Sequence, residues 1–335
     1  MSRVVCIPGD GIGPGVTHAV RRVIDASGAG IEWIEASAGL ATFELQGDPL
    51  PQETIEAIGK HRVALKGPLT TPVGSGFRSI NVSLRKEFDL YVNLRPVKWF
   101  EGVKSLFTHL DLVIFRENTE GLYSGVEHYI DSRKSAAESV AIVTRYGSER
   151  IIRAAFEYAR KHARKKVTIV HKANILKFTS GMFLGIGQAL AKEYPDIECD
   201  DKIVDNMVMQ LVMNPERFDV IVTTNLFGDI LSDLACGLIG GLGLAPGANI
   251  GDDTAIFEAV HGSATDIAGK NIANPSALLL AGVLMLRHLG KTEHAEKIEG
   301  ALVKVLKDGT SVTPDLNREQ GVHTDNMADA IIANL

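Results

Sequence analysis

The stretch VIVTTNLFGDILSDLACGL, residues 220–238, joins a short apolar run to a helical pattern. The run at 220–222 is β-branched and suits a strand that is buried on both faces of a parallel sheet. Similar runs alternate with helical patterns along the chain, which predicts an α/β architecture. The other predicted strands are 4–7, 63–65, 112–115 and 167–170, and the predicted helices are 16–26, 149–162, 180–193, 205–213, 226–238, 276–289 and 293–306.

The composition is that of a globular protein, because 45% of the 335 residues are hydrophobic and 23% are charged. The length suggests about two domains. The net charge of −6 and the lack of a long basic run argue against a nucleic-acid partner. The longest apolar stretch, 277–286, is shorter than the ~20 residues of a membrane helix, and we expect no signal peptide. The three scattered cysteines resemble neither a disulfide framework nor a zinc site, so a cytoplasmic location is expected.

A glycine-rich turn, PGDGIGPG at 8–15, follows the first predicted strand and leads into a helix. One interpretation is a dinucleotide fingerprint, with Glu35 as the acid that binds the ribose. Glycine at every second position does not reproduce that fingerprint, and Pro14 stands where the fingerprint opens its helix. The favoured interpretation is a tight strand-to-helix turn that uses the conformational freedom of glycine.

Asp229 and Asp233 are the sharpest local feature of the sequence. They lie four residues apart, so on a helix they share a face with their Cβ atoms ~5–6 Å apart. Two aspartates most often mark a solvated helix face, but the apolar and glycine-rich neighbours favour a buried, paired site here. Carboxylate ligands favour Mg²⁺ or Mn²⁺ over zinc.

A polar and cationic segment follows a glycine loop. Ser79 and Asn81 are short hydrogen-bonding groups, while Arg85 and Arg95 can make bidentate contacts with carboxylates. Arg116 follows a predicted strand, a position where ligand-binding groups commonly lie in α/β sheets. A single arginine is usually a surface residue, whereas three in this setting fit a small polyanionic substrate.

Two further side chains suit acid–base chemistry. Lys172 comes just after the predicted strand at 167–170, and Tyr123 follows the Arg116 segment. A lysine close to a metal and to arginines loses its proton readily, which suits it to act as a base. Taken alone, each of these residues is more often structural.

Together these residues resemble the isocitrate/isopropylmalate dehydrogenases, the metal-dependent decarboxylating β-hydroxyacid oxidoreductases. The resemblance runs essentially from end to end, and its most specific stretch is 225–243. Its other motifs are GDGIG at 9–13, KGPLTTP at 66–72, NLRP at 93–96, RENTEG at 116–121, VHKAN at 170–174, HGSATDIAG at 261–269 and ANP at 273–275.

The resemblance implies a fold other than the Rossmann fold, with two α/β domains around one mixed sheet. We expect a large cofactor-binding domain from 1–98 and 244–335 and a small domain from 99–243. The resemblance also implies a homodimer whose active sites are shared between subunits. The segment at about 126–145, which composition alone predicts to be a surface hairpin, would then be an arm that interlocks the two subunits.

The resemblance implies roles for individual residues as well. Tyr123 and Lys172 are expected to be catalytic, with Lys172 reaching into the neighbouring subunit's site. The cation, Mg²⁺ or Mn²⁺, would be bound by Asp229 and, across the interface, by Asp205, with Asp233 beside them. The expected substrate-binding set is Ser79, Asn81, Arg85, Arg95, Arg116, Tyr123 and Lys172.

The expected cofactor is NAD. In the family, the loop at 261–267 and Asn274 hold the adenosine half, and NADP-dependent relatives carry a Lys-Tyr pair where this chain has Asp266 and Ile267. The Asp266 carboxylate would accept hydrogen bonds from the ribose hydroxyls and repel a 2′-phosphate. The full set of expected cofactor-binding residues is Thr71, Asn174, His261, Gly262, Ser263, Ala264, Asp266, Ile267 and Asn274.

The expected reaction is the oxidative decarboxylation of isocitrate to 2-oxoglutarate and CO₂, a step of the tricarboxylic acid cycle. Relatives that act on isopropylmalate have apolar residues where this chain has Ser79 and Asn81, and polar groups there suit a third carboxylate. Homoisocitrate, isopropylmalate and tartrate are the alternative substrates. The alternative of another class is a non-catalytic regulatory subunit of a hetero-oligomeric enzyme. Such subunits typically lose catalytic side chains, so the presence of Tyr123, Lys172 and the aspartates favours an enzyme.

Overall fold

The structure is a computed structural model that describes residues 1–71 and 79–335. Most of the glycine loop ahead of Ser79, together with Arg78, lies outside the described residues. The strands are β1 (Ser2–Ile7), β2 (Ile31–Glu35), β3 (Val63–Lys66), β4 (Val92–Lys98), β5 (Asp111–Glu117), β6 (Glu127–Tyr129), β7 (Ala137–Ser139), β8 (Lys166–His171), β9 (Glu198–Ile203), β10 (Val220–Thr223), β11 (Pro246–Ile250) and β12 (Ala255–Ala259). The α-helices are α1 (Gly13–Ala26), α2 (Leu40–Gln46), α3 (Gln52–His61), α4 (Ile80–Glu87), α5 (Arg145–Lys161), α6 (Thr179–Leu190), α7 (Val204–Met213), α8 (Asn225–Leu238), α9 (Ser276–His288), α10 (Thr292–Asp308) and α11 (Thr324–Ala333).

The strands and helices predicted from the sequence are all present, with ends that differ by a few residues. Helix α1 begins earlier than predicted because Pro14 occupies its first turn, where an N–H has no partner within the helix anyway. Helix α5 also begins earlier, because the Thr144 side chain accepts a hydrogen bond of 2.9 Å from the Gly147 amide and caps the first turn.

The chain divides into two compact units. The first unit comprises residues 1–88, 98–109 and 236–335, and the second comprises 89–97 and 110–235. Both units are therefore assembled from separate stretches of sequence. The predicted domains, 1–98 with 244–335 and 99–243, stay a proposal about where the functional boundaries lie.

The first unit contains a mixed sheet in the strand order β2-β1-β3-β12-β11. Its strands pair in parallel except for β11 and β12, which are antiparallel. Helix α9 packs on β11 and β12 and is buried along nearly its whole length, and α1 packs against α9 and α11. The α/β class and the mixed sheet predicted from the sequence are confirmed.

The second unit contains the strand order β4-β5-β10-β8-β9. Strands β5, β10, β8 and β9 pair in parallel, and the register sets Thr223 beside both Arg116 and Val170. Helix α5 packs against β5 and β10. The carboxyl ends of β5, β10 and β8 therefore meet at one edge, which is where ligand groups collect in α/β sheets.

A two-stranded hairpin follows the second sheet's β5. Strands β6 and β7 pair antiparallel, with Glu127 opposite Ser139, and all their residues are exposed. The surface hairpin predicted for this segment is confirmed, while its role as a dimer arm stays a prediction. Across the described parts of the chain, no helix combines the length and apolar character needed to cross a membrane.

Candidate active site

One face of helix α8 carries four polar side chains. Asn225, Asp229, Ser232 and Asp233 stand at i, i+4, i+7 and i+8, a spacing that places them on the same side of a helix. The helix begins two residues after β10, so this face starts at the carboxyl edge of the second unit's sheet. Two arginines from the neighbouring strands contact it.

Arg116 lies at the carboxyl end of β5 and is 1% exposed. Its Nε and one terminal nitrogen donate to Asn225 Oδ1 at 3.0 and 2.7 Å, and its other terminal nitrogen forms a short hydrogen bond with the Asp229 carboxylate. Gly228 leaves room for this side chain, because a Cβ there would lie 2.5 Å from Arg116 Cγ. The arginine is therefore fixed in one orientation by the first turns of α8.

Arg95, on β4, reaches the same helix face one turn further along. Its Nη1 donates to Ser232 Oγ at 2.6 Å and to Asp233 Oδ1 at 3.3 Å, and its Nη2 lies 3.6 Å from Asp229 Oδ1. Nε donates to Asn93 Oδ1 at 2.7 Å. The two buried guanidinium groups thus share Asp229, and Arg95 also contacts Asp233.

Tyr123 completes this group from the 3₁₀ turn at Leu122–Ser124. Its hydroxyl donates to Asp229 Oδ2 at 2.6 Å, and the Arg116 guanidinium lies 5.0 Å from the centre of its ring. Desolvation and the hydrogen bond to Asp229 raise the pKa of Tyr123, against an opposing effect of Arg116. The phenol therefore keeps its proton at neutral pH and can donate it to a reacting atom.

The sequence predicted a buried, paired site for the two aspartates. Both are paired with arginines, but neither is buried. Asp229 has 35% of its side chain exposed and Asp233 has 56%. Partial desolvation raises the pKa of Asp233, with Arg95 opposing the rise and Asp229 adding to it. The reason for the error is that the apolar residues Leu231 and Ala235 lie on the opposite face of α8, where they are fully buried.

The donor chemistry of this face fits a hard divalent cation. Asp229 and Asp233 supply carboxylate oxygens, which Mg²⁺ and Mn²⁺ prefer. Within residues 1–71 and 79–335, no three His, Cys, Asp or Glu side chains are close enough together to hold a metal ion. Two carboxylates are a usual protein contribution to a Mg²⁺ site, and the predicted role of Asp205 across a dimer interface would add a third.

Lys172 and Asp205 lie together at the carboxyl edge of the sheet's other half. Lys172 follows β8, Asp205 is in the first turn of α7, and their side chains form a short ion pair. The Lys172 hydrogen bond lowers the pKa of Asp205. Asp205 is mostly exposed, and Asn174, which follows Lys172, is exposed too.

In the first unit, the predicted substrate residues lie at the start of α4. Ser79 is the N-cap residue, Asn81 is half-buried, and Arg85 is 8% exposed one turn later. Asn81 Oδ1 is buried and has no hydrogen-bond partner among the described residues. Such an atom is costly unless a ligand satisfies it, so this feature favours a binding role.

Arg85 belongs to a buried charge cluster that the sequence did not reveal. Glu258 lies near the carboxyl end of β12. It accepts hydrogen bonds from Lys66 Nζ at 2.6 Å and from Asn249 Nδ2 at 2.7 Å. The Arg85 guanidinium lies 3.5 Å from the same carboxylate. Burial acts to raise the pKa of Glu258, but Lys66 and Arg85 outweigh it and lower the pKa to about 2. The cluster carries two cations and one anion, so it is also suited to face an anion.

A cavity of about 550 Å³ in the first unit is lined by one of the predicted cofactor residues, Ile267. Gly11 and Ile12 from the glycine-rich turn, Ile267 and Gly269 from the 261–269 segment, and Asp325 at the start of α11 all line it. Asp266 is exposed beside Ile267. The apolar and glycine walls with an acidic group suit an aromatic base with an attached neutral sugar.

Two of the predicted cofactor residues, Asn274 and His261, have surroundings that fix their state. Asn274 donates to Asp315 at 2.9 Å and accepts from the Ser276 amide at the start of α9. Desolvation lowers the pKa of His261, so its imidazole is neutral near pH 7. Thr71, Gly262, Ser263 and Ala264 all have accessible surface in the same unit.

Sequence reasoning missed several polar residues of these clusters. Asn225 and Ser232 hold the two arginines, and their place on the Asp229 face of α8 was a signal that could have identified them. Lys66 and Glu258 gave a weaker signal, namely a charged residue within a short apolar strand. Their pairing depends on β3 lying beside β12, which no local pattern predicts.

The family model described as isocitrate/isopropylmalate dehydrogenase matches residues 3–331. Among solved structures, an isocitrate dehydrogenase from Methylococcus capsulatus is 59% identical with a TM-score of 0.98, covering 100% of this chain and 99% of that one. The predicted fold, distinct from the Rossmann fold, is thereby confirmed.

Curated relatives span both substrates and both cofactors. A 3-isopropylmalate dehydrogenase from Methanothermobacter thermautotrophicus is 50% identical over 99% of this chain and 98% of its own. An NADP isocitrate dehydrogenase from Thermus thermophilus is 49% identical over 99% of this chain and 67% of its own. A probable mitochondrial NAD isocitrate dehydrogenase subunit alpha from Drosophila melanogaster is 46% identical over 94% of this chain and 83% of its own. The chain therefore belongs to the isocitrate/isopropylmalate dehydrogenase family.

Proposed function

We propose that this chain is an NAD-dependent isocitrate dehydrogenase that converts isocitrate to 2-oxoglutarate and CO₂. The observation that carries the proposal is the convergence of Arg95, Arg116 and Tyr123 on Asp229. Two buried cations, a carboxylate and a protonated phenol are the groups needed to bind a hydroxy-diacid and move protons on it.

The substrate carboxylates are assigned to the arginines. Arg95 and Arg116 are 7% and 1% exposed, so their guanidinium groups are largely desolvated and contact an anion strongly. Arg85 is assigned to the same substrate, and Ser79 and Asn81 to the carboxylate that distinguishes isocitrate from isopropylmalate. The buried Asn81 Oδ1 without a described partner supports that assignment.

The proton transfers are assigned to Lys172 and Tyr123. Lys172 of the neighbouring subunit would take the C2 hydroxyl proton, and NAD held by the cofactor loops would supply the acceptor for the C2 hydride. The bond between C3 and the β-carboxylate of the keto acid then breaks and CO₂ leaves. Tyr123 donates its proton to C3, which completes 2-oxoglutarate. The raised pKa of Tyr123 supports this donor role.

A divalent cation, Mg²⁺ or Mn²⁺, is proposed at Asp229, Asp233 and, across a homodimer interface, Asp205. When bound, it supplies positive charge that stabilises a developing oxyanion. The chain's own contribution is to hold Asp229 between two arginines and Tyr123, so that its carboxylate is oriented in advance.

NAD is assigned to the cavity beside Ile12 and Ile267. The Asp266 carboxylate is exposed beside Ile267, which lines this cavity, and a 2′-phosphate would be repelled by it. Because curated relatives are named for NAD and for NADP, this preference rests on the residues at that position. The cytoplasmic location likewise stays a proposal, since the fly relative is named as mitochondrial.

Two alternatives differ in what they predict for the purified chain. A homoisocitrate or 3-isopropylmalate dehydrogenase would keep the arginine cluster but prefer another substituent. A regulatory subunit of a hetero-oligomeric enzyme would bind ligands without turnover. The intact set of Tyr123, Lys172, Asp205, Asp229 and Asp233 favours turnover.

A substrate panel tests the proposal. The purified chain is assayed with Mg²⁺ and NAD on isocitrate, homoisocitrate and 3-isopropylmalate. We expect kcat/KM for isocitrate to exceed that for 3-isopropylmalate by at least about 10³, because the polar pocket would leave its groups unpaired on an alkyl substituent. The preference over homoisocitrate is expected to be smaller, about 10-fold or more. A higher kcat/KM on 3-isopropylmalate would contradict the assignment, and no turnover on any substrate would favour the regulatory alternative.

A further inference from the structure

The glycine-rich turn after β1 holds a buried carboxylate that the proposed chemistry does not use. Asp10 is 5% exposed and accepts three backbone hydrogen bonds. They come from the Leu40 amide at 2.9 Å, the Ala41 amide at 3.0 Å and the Thr70 amide at 2.8 Å. A single side chain therefore joins the start of α2 to the segment that follows β3.

The backbone around Asp10 leaves little room for any other arrangement. A Cβ at Gly39, where φ is +115°, would lie 2.4 Å from Asp10 Oδ2. At Gly9 a Cβ would lie 2.2 Å from Pro68 O, and at Gly11 it would lie 2.1 Å from Ser263 O. The glycines of the turn are thus required for close contact with two other segments, and not only for the turn itself.

Those two segments are the ones that carry the predicted cofactor residues. The turn contacts the segment after β3 through the Asp10 amide, which donates to Pro68 O at 2.8 Å. It contacts the loop at 261–267 through the Ile12 amide, which donates to Ser263 O at 2.9 Å. The Thr70 and Ser263 hydroxyls are hydrogen-bonded to each other at 2.7 Å. Thr71 follows the residue that Asp10 holds, and Gly11 and Ile12 line the cavity of about 550 Å³.

We propose that Asp10 is a positioning residue for dinucleotide binding. Its carboxylate fixes the Thr70–Thr71 backbone and, through the Thr70–Ser263 hydrogen bond, the loop at 261–267. The inference rests on the proposed function, because it takes the cavity and these loops to be the nucleotide site. The glycine-rich motif at 8–15 then contributes to dinucleotide binding indirectly, because it fixes the positions of the Thr70–Thr71 segment and the loop at 261–267.

The test measures nucleotide binding without substrate. NADH and NADPH are each titrated by fluorescence into the full-length chain and into Asp10→Asn, Thr70→Val, Thr70→Ser and Asp48→Asn. The tighter of the two nucleotides for the wild type is used for the comparison. Hydrogen exchange at the amides of Leu40, Ala41 and Thr70 is measured on the same proteins without nucleotide.

We expect Asp10→Asn to weaken nucleotide binding at least about tenfold and to speed exchange at the three amides, because an amide group cannot accept all three hydrogen bonds. Thr70→Val is expected to weaken binding by about three- to tenfold, since it removes only the hydroxyl contact, and Thr70→Ser to restore it. Asp48→Asn is the matched control, because Asp48 also accepts a backbone hydrogen bond in this unit, from Leu50 at 3.0 Å. It should bind nucleotide as the wild type does.

The inference is overturned if Asp10→Asn exchanges faster at these amides but binds nucleotide as tightly as the wild type. If Asp10→Asn does not fold, the Thr70 pair decides, and equal affinities for Thr70→Val and Thr70→Ser would overturn the inference. A wild type that binds nucleotide but does not oxidise isocitrate contradicts the proposed function alone. A wild type that binds neither nucleotide contradicts both.

Discussion

Shared carboxylates orient the buried cations of this protein. Lys66 and Arg85 share Glu258, and Arg95 and Arg116 share Asp229. A buried cation that loses its partner is strongly destabilised, so each carboxylate holds two cations in place. The Glu258 cluster has one more cation than anion, and that charge is available to a substrate anion. Arg95 and Arg116 are balanced by Asp229 and Asp233, so their role is to present oriented hydrogen-bond donors.

Replacing Glu258 should show this effect in stability. We expect Glu258→Gln to lower the free energy of unfolding at pH 7 by about 3–5 kcal/mol, because Lys66 would remain buried without its anion. Urea unfolding measures the difference. Glu296→Gln on the exposed side of α10 is the matched control and should change the free energy by less than about 0.5 kcal/mol.

The same pair of proteins gives a pH dependence with a defined sign. The pKa of Glu258 is lowered to about 2, below the value of about 4.3 for an unfolded glutamate. Its contribution is therefore complete above the unfolded pKa and is lost as the pH falls towards 2. The stability difference between wild type and Glu258→Gln should narrow over that range, and a constant difference would contradict the ion-pair explanation.

Individual site residues were predictable from the sequence where a motif marked them. Arg95, Arg116, Tyr123 and Asp229 were all assigned to the site, and the structure brings these four together. Glu258 was not predicted, because its role depends on strands that are close in the sheet but far apart in the chain. The burial expected for Asp233 was wrong, because local apolar composition does not show which helix face a residue occupies.

Helix α8 positions both Arg95 and Arg116, because Asn225 and Ser232 on one of its faces accept their hydrogen bonds. Gly228 sits where Arg116 crosses the helix, and a Cβ would lie 2.6 Å from Arg116 Cβ as well as 2.5 Å from its Cγ. The helix must therefore carry glycine at this point, despite the low helix propensity of glycine.

Gly228→Ala is expected to displace Arg116 from Asn225 and Asp229. We expect KM for isocitrate to rise at least about tenfold, since a small misplacement of a binding group has a large effect. Gly300→Ala is the matched control, because Gly300 lies within α10 and a Cβ there meets no described atom within 4 Å. That variant should be more stable by about 0.5–1 kcal/mol with unchanged kinetics. Unchanged KM in Gly228→Ala would show that the position of Arg116 does not limit binding.

At the level of elements, the longest helices and five apolar strands were predicted, but the shorter helices and several strands were not, including the buried strand β12. Strand β4 was not predicted as such because Arg95 and Pro96 interrupt its apolar run. Helix α4 was taken only as a polar segment because Asn81 and Ser83 weaken its apolar pattern. In both elements the residues that obscured the pattern include ones assigned here to the substrate.

The whole molecule raises the question of a second subunit. Several large apolar side chains of the second unit are exposed, among them Phe178 at 91%, Ile175 at 66% and Met213 at 62%. Exposed apolar groups of this size favour an interface. They support the proposed homodimer, in which Lys172 and Asp205 act in the neighbouring active site.

Mixing two inactive variants tests whether the active sites are shared. Tyr123→Phe and Lys172→Met are each expected to lower kcat by about 10²–10⁴. If the sites are shared, a mixed dimer has one site with both native residues, and random pairing restores about a quarter of the wild-type activity. A mixture of Lys172→Met with the double variant is the control and should stay inactive. No recovery in mixed dimers of the single variants would place both residues in the same chain's site.

The central claim is that this chain oxidises isocitrate with NAD. The most direct measurement is kcat/KM for isocitrate oxidation by the purified chain, alone and with Mg²⁺, using NAD and NADP in parallel. The exposed carboxylate of Asp266 predicts that the value with NAD exceeds that with NADP by at least about tenfold. Equal values, or a preference for NADP, would contradict the account.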